Sequence, residues 1–120
     1  MKFRTEIELR FSEMNNTAYA DYAEEARVLF FRHLELDEKQ LSLVRIAFDF
    51  KKLTHYLDQV YIHTTVEQLG RSSITLKHII FSSGEVGALG NTVSVYVNHG
   101  TKEPQALSTE MRRKLEPYLE

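Results

Sequence analysis

Two short segments of this chain hold residue types and spacings suited to chemistry. The first is Arg10-Phe11-Ser12-Glu13-Met14-Asn15-Asn16-Thr17-Ala18-Tyr19, where an alternating stretch runs directly into a helix start. The first N–H groups of a helix have no partner within it, and the macrodipole adds partial positive charge there. Such an end polarises a carbonyl or holds an anion. The plainer role of Asn15, Asn16 and Thr17 is to cap the helix. The second segment is Gly70-Arg71-Ser72-Ser73, a turn glycine followed by a guanidinium and two hydroxyls. Arginine's planar fork matches phosphate oxygens, and serine hydroxyls with turn N–H groups complete an anion cradle. Its plainer reading is a hairpin turn.

Other chemistries lack their residues. The chain has no cysteine, which excludes disulfides, thiolate catalysis and sulfur-based zinc sites and fits a reducing compartment, so the cytoplasm is expected. His33, His55, His63, His78 and His99 show neither a one-turn helical pair nor another recognisable zinc spacing, so no metal is expected. Nucleophile-elbow, P-loop and dinucleotide-binding glycine motifs are all missing. With 15 Lys+Arg against 17 Asp+Glu, the net charge of -2 lacks the basic footprint of a nucleic-acid partner. The opening MKFRTEIELR is charged where a signal peptide is apolar. The longest uncharged stretch, Val86 to Thr101, is too short and polar to span a bilayer, so no membrane partner is expected either.

The elements that must position the two segments follow from hydrophobic period. At 120 residues, 42% apolar and 27% charged, the chain reads as one folded domain over 1–120, small enough to leave apolar faces for self-association. Phe3, Thr5, Ile7, Leu9 and Phe11 alternate with Arg4, Glu6, Glu8 and Arg10 as a half-buried strand. Tyr19, Tyr22, Ala23, Ala26, Phe30 and Leu34 then repeat at helical spacing, predicting a core helix over 17–34, roughly 27 Å long. Glu24-Glu25-Ala26-Arg27 reads as a solvated face with spaced ion pairs.

Val44, Ile46, Phe48 and Phe50 oppose Arg45, Asp49 and Lys51 in a second strand. Residues 60–69 and 73–81 form a hairpin about Gly70-Arg71-Ser72, and Ser82 to Glu85 turn into a fifth strand in which Val93, Val95 and Val97 alternate with Thr92, Ser94 and Tyr96. Gly90 within it signals a bulge or a close backbone approach. Ser108 to Leu119 reads as a short helix capped by Ser108 or Thr109 and limited by Pro117. The class is α+β: an antiparallel sheet with one dominant helix laid on it.

In this order and separation the segments resemble the hotdog-fold acyl-CoA thioesterases of the 4-hydroxybenzoyl-CoA thioesterase family. Three blocks carry the likeness: Arg10-Phe11-Ser12 leading into Asn15 to Tyr22 and Glu24 to Arg27; Phe48-Asp49-Phe50 leading to Tyr56-Leu57-Asp58; and Gly70-Arg71-Ser72-Ser73. The resemblance implies a five-stranded antiparallel sheet wrapped around the long helix, a homodimer or homotetramer joined through sheet edges, and an active site at the subunit interface. It implies that the substrate is an acyl-CoA, cleaved to acid and CoA without a cofactor. Asn16 and Tyr19 then lie near the thioester, and Gly70, Arg71, Ser72 and Ser73 bind CoA.

The chain departs from the family pattern at one place. Family members carry Asp-x-x-Gly-His ahead of the paired asparagines, the Asp being the catalytic acid, whereas Ser12-Glu13-Met14 here leads straight to Asn15. A lost loop, or a stretch missing between Ser12 and Asn15, accounts for the gap. The surface character of such a loop favours the latter. Glu13 is the nearest carboxylate and the candidate stand-in. Leu53 and Leu57 also replace the family's usual Pro and Gly. The missing Asp motivates the rival reading, a non-catalytic acyl-CoA or acyl-carrier binding module. A hydratase or dehydratase ranks last, because no histidine occurs between Phe11 and Asn16.

Overall fold

The computed structural model describes residues 1–7, 16–51 and 59–120. The alternation at the chain start becomes β1 (Phe3–Ile7), with Thr5 and Ile7 buried and Arg4 and Glu6 exposed. The rest of that expected strand, to Phe11, lies outside the described residues. The helical repeat becomes α1 (Asn16–His33), whose Tyr19, Tyr22, Ala23, Ala26, Phe30 and Phe31 form one buried stripe. A single 3-10 turn, Glu38–Gln40, leads into β2 (Leu41–Phe50). Then come β3 (Val60–Leu69), β4 (Ser73–Ser82), β5 (Glu85–Tyr96) and a short helix α2 (Thr109–Leu115), capped by Ser108 and followed by a turn containing Pro117.

The five strands form one antiparallel sheet in the order β1-β3-β4-β5-β2, and α1 packs across one of its faces. Two tight turns fix the middle of it. Ser83 and Gly84, with φ of 51° and 83°, join β4 to β5 in the left-handed conformation that two-residue hairpins require. At Gly90 the expected close approach is present. A Cβ there would collide with the Ala47 carbonyl oxygen and stand 2.8 Å from the Phe48 Cα.

Two sequence expectations need correction, and one alternating strand buries the less apolar of its two faces. In β2 the register shifts between Leu43 and Arg45, so Val44 sits at a bulge and is 59% exposed instead of sharing a buried face with Ile46. In β5 the side chains turned toward the helix are Thr92 and Ser94, fully buried, while Val93 and Val95 are half-buried on the opposite face. Arg27 is also buried, not part of a solvated face. Its Nε and Nη2 hold the Glu24 carboxylate at 3.1 and 2.6 Å, and its Nη1 donates to Ser94 Oγ and the Leu41 carbonyl, both at 3.1 Å.

The last two findings share one cause, a polar band across the helix-facing side of the sheet. Thr64, His78 and Thr92 on three adjacent strands are fully buried, and the imidazole bridges the two hydroxyls (Nδ1 to Thr64 Oγ1 3.0 Å, Nε2 to Thr92 Oγ1 2.9 Å). A neutral imidazole offers one donor and one acceptor, and hydroxyls supply whichever complement is needed. Arg27 and Ser94 continue the band toward β2. It divides the core into two apolar clusters. One gathers Tyr19 and Tyr22 with Ile7, Ile62 and Ile80, and the other Phe30 and Phe31 with Leu41, Ile74, Leu76 and Leu115.

Burial, helped by the Arg27 charge, lowers the His78 pKa to about 3. An unfolded chain titrates this group near 6.5, so between those values the unfolded state binds the extra proton. The stability His78 confers is complete above that window and is lost as pH falls through it, at about 1.4 kcal/mol per pH unit. Urea unfolding between pH 7 and pH 4 shows this acid limb in the wild type and a flatter one in His78→Gln.

Candidate active site

The helix start and the Gly70–Ser73 turn are built by different means. α1 opens at Asn16, at the end of the sheet formed by Val60, Ile80 and Ala88, which pack with Tyr19 and Tyr22. Tyr19 is only 2% exposed, and its ring lies 5.1 Å from that of Phe50, which is 43% exposed at the rim. Glu13, Asn15 and the block Tyr56-Leu57-Asp58, like Leu53, lie outside the described residues.

The turn is braced from three directions. Gly70 N donates to the Ser73 carbonyl at 2.9 Å, closing the hairpin. The carbonyls of Gly70, Arg71 and Ser72 accept, respectively, from Arg112 Nη2 at 2.7 Å, Leu107 N at 2.8 Å and Tyr96 N at 2.8 Å. A Cβ on Gly70 would collide with Ser73 Oγ, so glycine lets that hydroxyl fold over the bend. The Arg71 side chain is exposed and touches Ser72 Oγ at 3.3 Å. A rigid bend carrying an exposed guanidinium beside hydroxyls is an arrangement that receives phosphate.

Within one chain these features stand at opposite ends of the sheet. β3 starts at Val60, against the helix-start cluster, and ends at Leu69, beside the turn. Ten residues of strand separate them by about 30 Å. β2 pairs with β5 on one side only, so a ten-residue edge strand is open among the described residues. No group of three or more His, Asp or Glu side chains able to hold a metal occurs among the described residues.

The sequence pattern of the thioesterase-like superfamily matches residues 10–115. The chain belongs to that superfamily. Among solved structures, a predicted thioesterase from Bacillus stearothermophilus superposes with a TM-score of 0.91 at 26% identity, covering 100% of this chain and 98% of the other. A thioesterase from Thermus thermophilus, crystallised with coenzyme A and zinc, superposes with a TM-score of 0.87 at 25% identity over 96% of this chain and 92% of that one. The 1,4-dihydroxy-2-naphthoyl-CoA thioesterase Slr0204 from Synechocystis, at 15% identity and a TM-score of 0.84 over 96% of each chain, shares the fold. No curated relative matches in sequence. The fold is therefore the thioesterase hotdog that the sequence resemblance implied, with its sheet laid around α1.

Arg112 escaped the sequence reading. It acts 42 residues from the carbonyl it binds, and no local pattern marks a side chain on a short C-terminal helix as a brace for a distant turn. Arg112→Ala leaves the Gly70 carbonyl without its charged donor and lowers stability by about 1 kcal/mol, read as a shift in the urea midpoint.

Proposed function

We propose that this thioesterase-superfamily protein hydrolyses acyl-CoA thioesters to free acid and CoA, at a site shared between two copies of the chain. The observation that carries the reading is the pair of equipped ends on one sheet, the α1 start and the braced Gly70–Ser73 turn, together with an open β2 edge. A two-fold axis that pairs β2 with its copy in antiparallel fashion brings the helix start of one protomer to the same end as the partner's turn. The coenzyme A bound to the Thermus thermophilus relative supports a CoA-bearing ligand. A homodimer is the smallest assembly that completes the site, and a homotetramer is two of these. The cysteine-free composition suits the cytoplasm.

In this reading Arg71, Ser72 and Ser73 hold the CoA phosphates by charge-assisted and hydroxyl hydrogen bonds, with Gly70 giving the bend room. The pantetheine arm then carries the thioester to the partner's helix start. N–H groups there stabilise the oxyanion as water adds to the carbonyl carbon, and Asn16 and Tyr19 flank the reacting group. A carboxylate, Glu13 in this sequence, takes the proton from the water. The C–S bond then breaks, and CoA leaves as a thiol once it recovers a proton.

The absence of Asp-x-x-Gly-His before Asn15 favours a second reading, an acyl-CoA or acyl-carrier binding module without turnover. Free-thiol release from short, long and aromatic acyl-CoAs separates the two. Turnover of any of them supports the hydrolase, and binding with no thiol released from the whole panel overturns it. Arg71→Ala weakens CoA binding by roughly 1.5 to 3 kcal/mol, measured by calorimetric titration. Unchanged affinity would reduce the turn to a structural bend.

A further inference from the structure

The face of the sheet turned away from α1 carries more apolar surface than a solvated face needs. An antiparallel sheet covered on one side ordinarily alternates apolar-in with polar-out. Here Tyr61, Ile79, Phe81, Leu89, Val93 and Val95 all stand on the outer side, each half-buried, and none belongs to either buried cluster. Tyr61 and Phe81 stack there with ring centroids 4.9 Å apart and planes inclined by 15°. Both helices pack on the other side, α1 through Phe30 and α2 through Leu115. Among the described residues nothing covers the outer face. Its four longer strands, of ten to twelve residues, and the shorter β1 present roughly 700 Å² of flat surface. A standard protein interface takes about 800 Å² from each partner.

The charges on this face say what covers it. Both signs are mixed, with Arg4, Arg45 and Lys77 beside Glu6, Asp49 and Glu67. A nucleic acid, an anionic membrane or a strongly charged protein is met by one sign. A balanced mixture suits its own copy turned over, because a two-fold contact pairs one patch with itself. The register supplies the turn. Lys77, Asn91 and Ala47 form a row across β4, β5 and β2, with Leu89 and Asp49 in the row on one side of it and Val93 and Arg45 in the row on the other. A two-fold axis that lies between two such faces and follows the central row exchanges the outer rows. Arg45 then meets the partner's Asp49, and Leu89 meets the partner's Val93. Packed sheets stand about 10 Å apart, a gap that arginine and aspartate side chains span together. An open hollow of about 340 Å³, lined by Arg45, Asp49, Glu67 and Lys77 among others, borders the central row. It leaves each Lys77 room to turn away from its copy and toward Glu67.

We propose that the outer face of the sheet is an interface with a second copy of this chain, turned about the Lys77–Ala47 row so that Arg45 of each copy meets Asp49 of the other. This stacking stands apart from the hydrolase reading, which needs only the β2 edge. The edge joins two chains side by side and the face stacks two sheets, so both together make a homotetramer.

Sedimentation velocity at micromolar concentration tests it on the wild type, Arg45→Glu, Asp49→Arg, the double variant and Leu89→Glu, with circular dichroism to establish that each has folded. The wild type is expected to be a tetramer. Each single reversal sets like charges together twice in every stacked pair, and it is expected to raise the dissociation constant on the order of a hundredfold and halve the mass. The double variant exchanges the two charges and is expected to restore the tetramer. Leu89→Glu, which puts a carboxylate among the apolar side chains, halves the mass independently of that pair. A wild-type dimer that falls to monomers in the same variants supports the stacked face and overturns pairing through β2. A mass that neither charge reversal moves, or that the double variant fails to restore, overturns the proposed face while leaving pairing through β2 intact. A monomeric wild type overturns both.

Discussion

The length of β3 and β4 holds the two chemically equipped ends of this molecule about 30 Å apart, and the rest of the functional account depends on that separation. A ten-residue strand is stiff once it is paired on both sides, as β3 and β4 are, and α1 spans the same distance on the covered face. In the proposed reading the Gly70–Ser73 bend and the α1 start are two halves of a site, which an antiparallel symmetric pairing would bring together. The edge strand that would mediate this pairing is ten residues long, and its Val44 and Phe50 are among the most exposed large apolar side chains. An edge of that kind is normally covered or paired.

The interior serves the same arrangement by resisting deformation. A buried arginine tied to Glu24, Ser94 and the Leu41 carbonyl locks α1 to the two strands at the β2 edge. Loss of the Glu24 carboxylate would leave the arginine's charge stranded in the core, which costs far more than the pair itself contributes. His78 stitches β3, β4 and β5 together in the same way, through hydroxyls that satisfy it on both sides. Both groups leave water with hydrogen-bond partners in place, Arg27 on Glu24, Ser94 and the Leu41 carbonyl and His78 on two hydroxyls.

Much of this was legible from residue order because local pattern and tertiary packing agree. The alternation of Phe3, Thr5 and Ile7, the repeat from Tyr19 to Phe30, the glycine of the β3–β4 hairpin and the close approach at Gly90 all report geometry set by immediate neighbours. The inward face of β5 was not legible. Val93 and Val95 have the stronger claim to burial by type, yet Thr92 and Ser94 take the covered face because His78 and Arg27 need hydroxyl partners there. The bulge at Val44 has no glycine to mark it. The brace from Arg112 joins residues too far apart in sequence for any spacing rule to pair them. Of the candidate site, Arg71, Ser72 and Ser73 were recognisable from side-chain type alone, whereas the opposition of turn and helix start became visible only once the strand directions were known.

Subunit complementation tests the shared site most directly. Asn16→Ala disables the helix-start half and Arg71→Ala the phosphate half, and each protein alone is expected to be nearly inactive on acyl-CoA. When the two variants are unfolded together and refolded as a mixture, half of the dimers are mixed, and each mixed dimer holds one intact site. Thiol release is then expected to recover to about a quarter of the wild-type rate. A mixture no more active than its two components would contradict a site built from two chains.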